Sequence, residues 1–324
     1  MYMFKYILKR IGLMLMTFSI IFVICFVLIR LLPMSFDVQI GEDADKLKNL
    51  WEARGYNDPI IEQLFRYIKN ILLHGDFGIS FNIPDHRYDP VWSIFVEKLP
   101  PTILINIYSS LIAVPIGIAL GIFAALKKNK WQDHVISTAV MVVISVPSFV
   151  YASLLLYVIC FKLGWFPKTM ASMTAAGGSY FSPIMIKSMM PAVFALSFGS
   201  IAGYARYTRA ELTEVLTSEF MLLARTKGLT KSQATVRHAL RNAMVPIFPS
   251  IIGEFIGVLS GSLVIEKIFG VPGVGGLYLN AINAMDYDVF MMLSGFYVLV
   301  GLAAGLVIDL SYGIIDPRIR MGAR

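Results

Sequence analysis

The chain has 324 residues, 57% of them hydrophobic and only 15% charged, with a formal net charge of +7. Ordinary soluble domains carry roughly 25% charged residues, so the composition argues against a soluble fold. It also argues against a nucleic-acid partner, because the lysines and arginines flank apolar runs, the pattern that orients membrane helices.

In chain order, the first uncharged run lies between Arg10 and Arg30. A membrane helix needs about 20 apolar residues at 1.5 Å rise to cross a ~30 Å core, and this run is long enough. It has no small-x-small cleavage site before Arg30 and exceeds the h-region of a signal peptide, so it reads as a retained span over 11–31. Cys25 and, later, Cys160 fall inside apolar runs, where free cysteine behaves as a small hydrophobe. The segment 33–98 follows. It is acidic on balance (Glu42, Asp43, Asp45, Glu52, Asp58, Glu62), and Ile60, Ile61, Leu64, Phe65, Ile68, Ile71 and Leu72 recur at helical spacing. This predicts a small helical cap packed on the membrane domain, in preference to a docking site for an external partner.

Five further spans are predicted at about 101–126, 135–161, 188–205, 246–266 and 289–310, the fifth interrupted by Glu254. Prolines 115, 147, 191 and 249 lie in or at the ends of these spans. Membrane helices tolerate proline where neighbours re-satisfy the freed carbonyls, so kinks are expected. Lys5, Lys9 and Arg10, then Lys127, Lys128 and Lys130, fall on one side of such a bundle. Arg206, Arg209, Arg225, Lys227, Lys231, Arg237 and Arg241, and finally Arg318, Arg320 and Arg324, join them. The opposite loops hold Lys162, Lys168, Lys187 and Lys267. The positive-inside rule then puts both termini in the cytoplasm. The reading is an all-α, multi-pass protein of the cell membrane with six transmembrane helices. Its parts are an N-terminal segment and first helix (1–32), an extracytoplasmic segment (33–98) and a core membrane domain (99–324) with a cytoplasmic loop at 206–245.

That loop carries Leu212, Val215, Leu216, Phe220 and Leu223 at helical spacing. Ser218 is a suitable N-cap, Glu219 complements the positive end of the dipole, and Arg225 and Lys227 complement the negative end. Gly228 is the expected left-handed stop. Residues 219–227 therefore read as a self-capped helix about 13 Å long, with Phe220, Leu223 and Ala224 on one face. Periodicity leaves three destinations open for that face: the lipid interface, the protein's own helix ends, or a groove on a cytoplasmic partner.

The stretch YTRAELTEVLTSEFMLLARTKGLTKSQATVRHALRNAMVPIFP resembles the signature loop of ABC importer permeases, in the oligopeptide, dipeptide and nickel branch and its B-type subunits. The matching residues are Ala224, Arg225, Lys227, Gly228, Leu229, His238, Ala239, Leu240, Arg241, Asn242 and Pro246. Where the general importer motif has Glu-Ala-Ala, this chain has Leu222, Leu223 and Ala224. HGDFGISF (74–81), VPSFVYASLLLYVICFKLGWFP (146–167), EKIFGVPGVGGLYLNAINAMDYDV (266–289) and DLSYGIIDPRIR (309–320) are similar to further stretches of that branch, in the same order. The start of the outer segment departs from it, with Pro33-Met34-Ser35-Phe36 in place of Pro-Gly-Asp-Pro. The resemblance implies a type I ABC importer permease fold. It also implies a second homologous permease, two cytoplasmic ATP-binding subunits and an extracytoplasmic substrate-binding protein as partners. Glu219, Phe220, Leu223, Ala224, Arg225, Lys227 and Gly228 would then couple to the ATPases. Peptides are the expected cargo, with nickel or another small solute as the alternative.

Nothing matches G-x-x-x-x-G-K-[ST], so ATP hydrolysis is expected on a separate chain and no cofactor on this one. GVPGVGG (270–276) reads as a turn-forming loop interrupted by Pro272. The histidines at 74, 86, 134 and 238 show no metal-ligand spacing. Glu254 is an ionisable residue inside a predicted span, a costly placement that marks either a packing bond or a cavity on a solute path. It leaves room for a proton-coupled secondary transporter as a second class of function. An integral-membrane enzyme would need a polar catalytic cluster, and none is evident. Glu266 matches the branch pattern and is expected to stabilise the outer end of the fifth span.

Overall fold

The computed structural model describes residues 2–32 and 44–315, which are helical with one isolated bridge, Ile79 to Pro90, and no strand. The Pro33–Phe36 stretch, Glu42, Asp43, the end of the C-terminal signature and the arginines at 318, 320 and 324 lie outside the described residues. Among the described residues, five helices are long and apolar enough to cross a membrane, or six if one bent pair is counted as a span.

The first, α1 (Tyr2–Leu31), begins nine residues before its uncharged run, since the basic turn preceding a span can itself be helical. A cap follows, of α2 (Ala44–Ala53) and α3 (Ile60–His74), which Gly75 ends at φ +63°. The apolar residues of α3 divide between two faces. Ile60, Leu64 and Ile71 pack with Tyr67 against Trp51 and Phe81, whereas Ile61, Phe65 and Leu72 are exposed.

The second span, α4 (Val91–Leu126), runs without interruption through Pro100, Pro101 and Pro115. The predicted third span is broken. α5 (Trp131–Ser145) and α6 (Ser148–Leu155), continued by a π turn at Leu156–Lys162, are bent by 100°. Val146 is extended at φ −89°, ψ 127°, the conformation that a following proline imposes. α7 (Pro183–Leu216) is longer than predicted at both ends. Pro183 follows the Ser182 cap, which accepts from the Met185 amide at 3.2 Å, and the helix continues because Leu212 finds a buried seat.

After a short helix α8 (Glu219–Thr226), the chain enters α9 (Lys231–Ala234), a π turn and α10 (Leu240–Gly257), together one apolar helix over Lys231–Ser260. This corrects the predicted 246–266. Gly261, at φ +64°, ends the helix, and Glu266 falls instead on a separate helix, α11 (Leu263–Ile268). α12 (Val274–Asn283) and α13 (Tyr287–Ile315) complete the described chain.

Contacts settle the directions. Pairs at 109/197, 117/204 and 121/208 make α4 and α7 parallel, while 200/254 and 207/246 make α10 antiparallel to α7. Arg10–Asp309 (2.9 Å) and Arg30–Asp288 (3.3 Å) make α1 antiparallel to α13. Val91, Ile94 and Phe95 of α4 pack with Val289, Met292 and Leu293 of α13, so the starts of those two helices lie at one end. The start of α1, the end of α13 and α8 therefore share the opposite end.

α4 and α7 meet through glycine. A Cβ at Gly117 would lie 2.8 Å from the Ile201 carbonyl, and one at Gly121 would lie 2.7 Å from that of Ala205. Without lipid-excluding force between helices, such small-xxx-small stripes let backbones approach.

Candidate functional site

α8 lies in the turn between α7 and the helix over Lys231–Ser260, and its two faces have different fates. Met221 and Ala224 are buried in a cluster with Ala125 of α4, Leu212 of α7 and Ala234, Ala239 and Ala243 of the following helix. Alanine dominates this contact, so the short helix sits close against three others. Phe220, Leu222 and Leu223 remain 41%, 65% and 56% exposed. The predicted face of Phe220, Leu223 and Ala224 is therefore split: Ala224 seats the helix and Leu223 points away. Phe220 is held edge-on to His238 at 5.7 Å. Glu219, Arg225 and Lys227 are exposed around the apolar patch.

The ends of α8 are made as expected at one terminus only. Gly228 is left-handed at φ +89°, and its amide donates to the Arg225 carbonyl at 3.0 Å. At the start, Ser218 has the extended backbone of an N-cap, but its hydroxyl donates to the Val215 carbonyl at 2.7 Å and caps nothing. A true capping box follows at Thr230 and Gln233. It is a Thr-x-x-Gln signal that the sequence carries and that apolar periodicity does not pick out.

At the start of α5, Asp133 is 1% exposed and receives Arg209 at 2.8 Å, the Asn129 amide at 2.9 Å and the Ser137 hydroxyl at 3.2 Å. Arg209, which contributes to the charge pattern as an orienting cation, is thus a tie between α5 and α7. No short-range spacing announces that pair.

At the far end, Glu266 is fully buried and accepts from Thr102 Oγ1 (3.0 Å) and from the amides of Gly275 (2.8 Å) and Gly276 (3.2 Å). Burial pushes its carboxyl above the ordinary value, and the Thr102 hydroxyl and the Gly276 and Gly275 amides pull it back. Two of the GVPGVGG amides, those of Gly275 and Gly276, are thus occupied by the protein's own carboxylate. A Cβ at Gly273 would collide with both Thr102 and Glu266, which is why the loop is glycine-rich. The expectation for Glu266 changes accordingly: it fastens the loop to α4. Asp286 does similar work, accepting from Ser80 Oγ, Phe81 N and Asn82 N at 2.7–2.9 Å. It joins HGDFGISF to AMDYDV, two stretches that are distant in sequence.

Glu254 sits between these ends. With Asn106, Ser109, Ser110, Leu196, Ser200, Gly253, Gly257 and Val258 it lines a cavity of ≈ 260 Å³. Ser200 donates to its carboxylate at 2.8 Å. Among the described residues no group of three or more His, Cys, Asp or Glu is placed to hold a metal.

Comparison with known proteins agrees with this architecture. The family described as binding-protein-dependent transport system inner membrane component matches residues 117–321. The chain is 34% identical over 319 residues to the dipeptide transport system permease protein DppB of Lactococcus lactis subsp. cremoris, covering 98% of this chain and all of that one. It is 35% identical over 319 residues to the oligopeptide transport system permease protein OppB of Salmonella typhimurium, with the same coverage. A solved amino acid ABC transporter, crystallised with histidines, superposes with a TM-score of 0.50 at 21% identity, over 69% of this chain and 94% of that one.

Proposed function

Because the chain belongs to the family of binding-protein-dependent transport system inner membrane components, we propose that it is the permease subunit of an ATP-driven importer of di- or oligopeptides. The observation that carries this is its near full-length similarity to dipeptide and oligopeptide permeases. A second, homologous permease completes the path across the bilayer, two cytoplasmic ATP-binding subunits drive it, and an extracytoplasmic binding protein delivers cargo. The end bearing α8 faces the cytoplasm, in keeping with the cations gathered there, and the cap faces outward.

In this reading α8 is the coupling helix. Phe220 and Leu223, joined by Leu222, enter an ATPase groove, and Glu219, Arg225 and Lys227 border the contact. Ala224 seats the helix against the membrane domain, and Gly228 ends it. Because α8 joins α7 to the helix over Lys231–Ser260 and packs on the end of α4, any displacement by the ATPases reaches all three. The two transport states must differ in contacts at α8 for ATP to bias them. The test is purification from the native membrane followed by vesicle uptake of tri-alanine. Copurification of an ATP-binding subunit, with uptake that needs ATP and a binding protein, is expected. Uptake that survives loss of ATP and collapses with the proton gradient would overturn this in favour of secondary transport.

A further inference from the structure

The cavity around Glu254 has a chemistry that the family assignment does not specify. Asn106, Ser109 and Ser110 lie near the middle of the 36-residue α4, and Ser200 near the middle of the 34-residue α7, so the cavity lies midway along these helices. Its lining contains one carboxylate and no lysine, arginine or histidine. A carboxylate at such a depth ordinarily has a cationic partner or a polar chamber. Here one serine hydroxyl reaches it.

Two of the remaining polar groups are left with oxygens that can accept. Asn106 commits its amide nitrogen to the Thr102 carbonyl at 2.8 Å, which leaves its side-chain oxygen as an acceptor. Ser200 donates its single hydroxyl proton to Glu254 at 2.8 Å, which leaves its lone pairs to accept. Gly257, where an added Cβ would meet open space, keeps the wall beside the carboxylate low. An ammonium group has three donors and no acceptor, and this chamber offers a charged acceptor with hydroxyl and amide oxygens around it.

We propose that Glu254 and its polar ring form a cargo subsite for an ammonium group, carried by a peptide N-terminus or a lysine side chain. This rests on the peptide-importer reading and extends it to the class of cargo that the membrane path favours. The subsite would hold the cation transiently as it passes, in place of the water lost on entering the bundle.

The test is uptake by the complete importer in vesicles, with the same binding protein throughout so that its own preference cancels between permease variants. The probes are tri-alanine and tri-lysine, and the variants are Glu254→Gln and Glu254→Asp. Failure of wild type to import either probe with ATP would count against the peptide-importer reading itself. If wild type imports them, Glu254→Gln is expected to slow uptake about tenfold, the scale of one lost charge-assisted contact, and Glu254→Asp to restore most of it. Slowing of both probes assigns the subsite to the N-terminal ammonium, and slowing of tri-lysine alone assigns it to the side chain. Equal uptake by wild type and Glu254→Gln would overturn the proposal. So would a Glu254→Asp variant as slow as Glu254→Gln, since the carboxylate would then not be the cause.

Discussion

Removing the Glu266 side chain tests whether a buried carboxylate organises the glycine loop. In Glu266→Ala the Gly275 and Gly276 amides and the Thr102 hydroxyl lose their acceptor. The Thr102 hydroxyl can turn to its own helix carbonyls, leaving two orphaned amides at about 1–3 kcal/mol each. The emptied side-chain volume adds a cavity cost, so a loss of about 3 kcal/mol or more is expected. Glu266→Gln preserves shape and one carbonyl acceptor for the glycine amides. It also removes the cost of a buried charge, because Glu266 is fully buried and burial disfavours the ionised form. That variant is expected within about 1 kcal/mol of wild type. Thermal unfolding in detergent, compared across the three proteins, measures the order. A Glu266→Ala protein as stable as wild type would refute the reasoning. So would Glu266→Gln as damaged as Glu266→Ala, since charge rather than acceptor geometry would then hold the loop.

Gly228→Val places a β-branched residue at φ +89°, where nothing lies within 4 Å of the new Cβ. The cost is therefore backbone strain alone, at least about 1–2 kcal/mol, and ATP hydrolysis is expected to continue while uptake falls. Normal coupled uptake would count against α8 as the coupling helix. Gly121→Ala drives a methyl to 2.7 Å from the Ala205 carbonyl, whereas Gly203 has open space. Gly121→Ala should cost about 1–3 kcal/mol as overpacking and Gly203→Ala much less, read as the difference in detergent unfolding temperature. Arg209→Ala strands the buried Asp133 and is expected to lose about 2 kcal/mol by the same measurement, less than a fully buried pair would. The exposed Arg206→Ala should stay within about 0.5 kcal/mol.

Much of the architecture is legible in the amino-acid order, because a membrane makes its demands locally. Each span must carry some 20 apolar residues in succession, so each of the six predicted runs overlaps an apolar helix, the third as a bent pair. The helix over 219–226 and its stop are readable for the same reason: a cap needs a particular residue at a particular place, and Gly228 supplies it. The motif residues of the loop can be named without knowing what they touch.

Only the tertiary structure decides which side of each helix is inside. On α8, Met221 and Ala224 are buried and Leu223 is not, because the turn at Thr217–Ser218 sets the helix's rotation against its neighbours. Pro147 is visible in the sequence, but the 100° bend is a property of the packed pair. The partners of Glu266, Asp133 and Asp286 are 164, 76 and 206 residues away at Thr102, Arg209 and Ser80. Periodicity reaches only one or two helical turns, so such pairs leave no local trace. The same holds for Glu254: its position in an apolar run marks it as a charge within the membrane, and the folding together of α4, α7 and α10 sets it beside Asn106 and three serines in a half-open cavity.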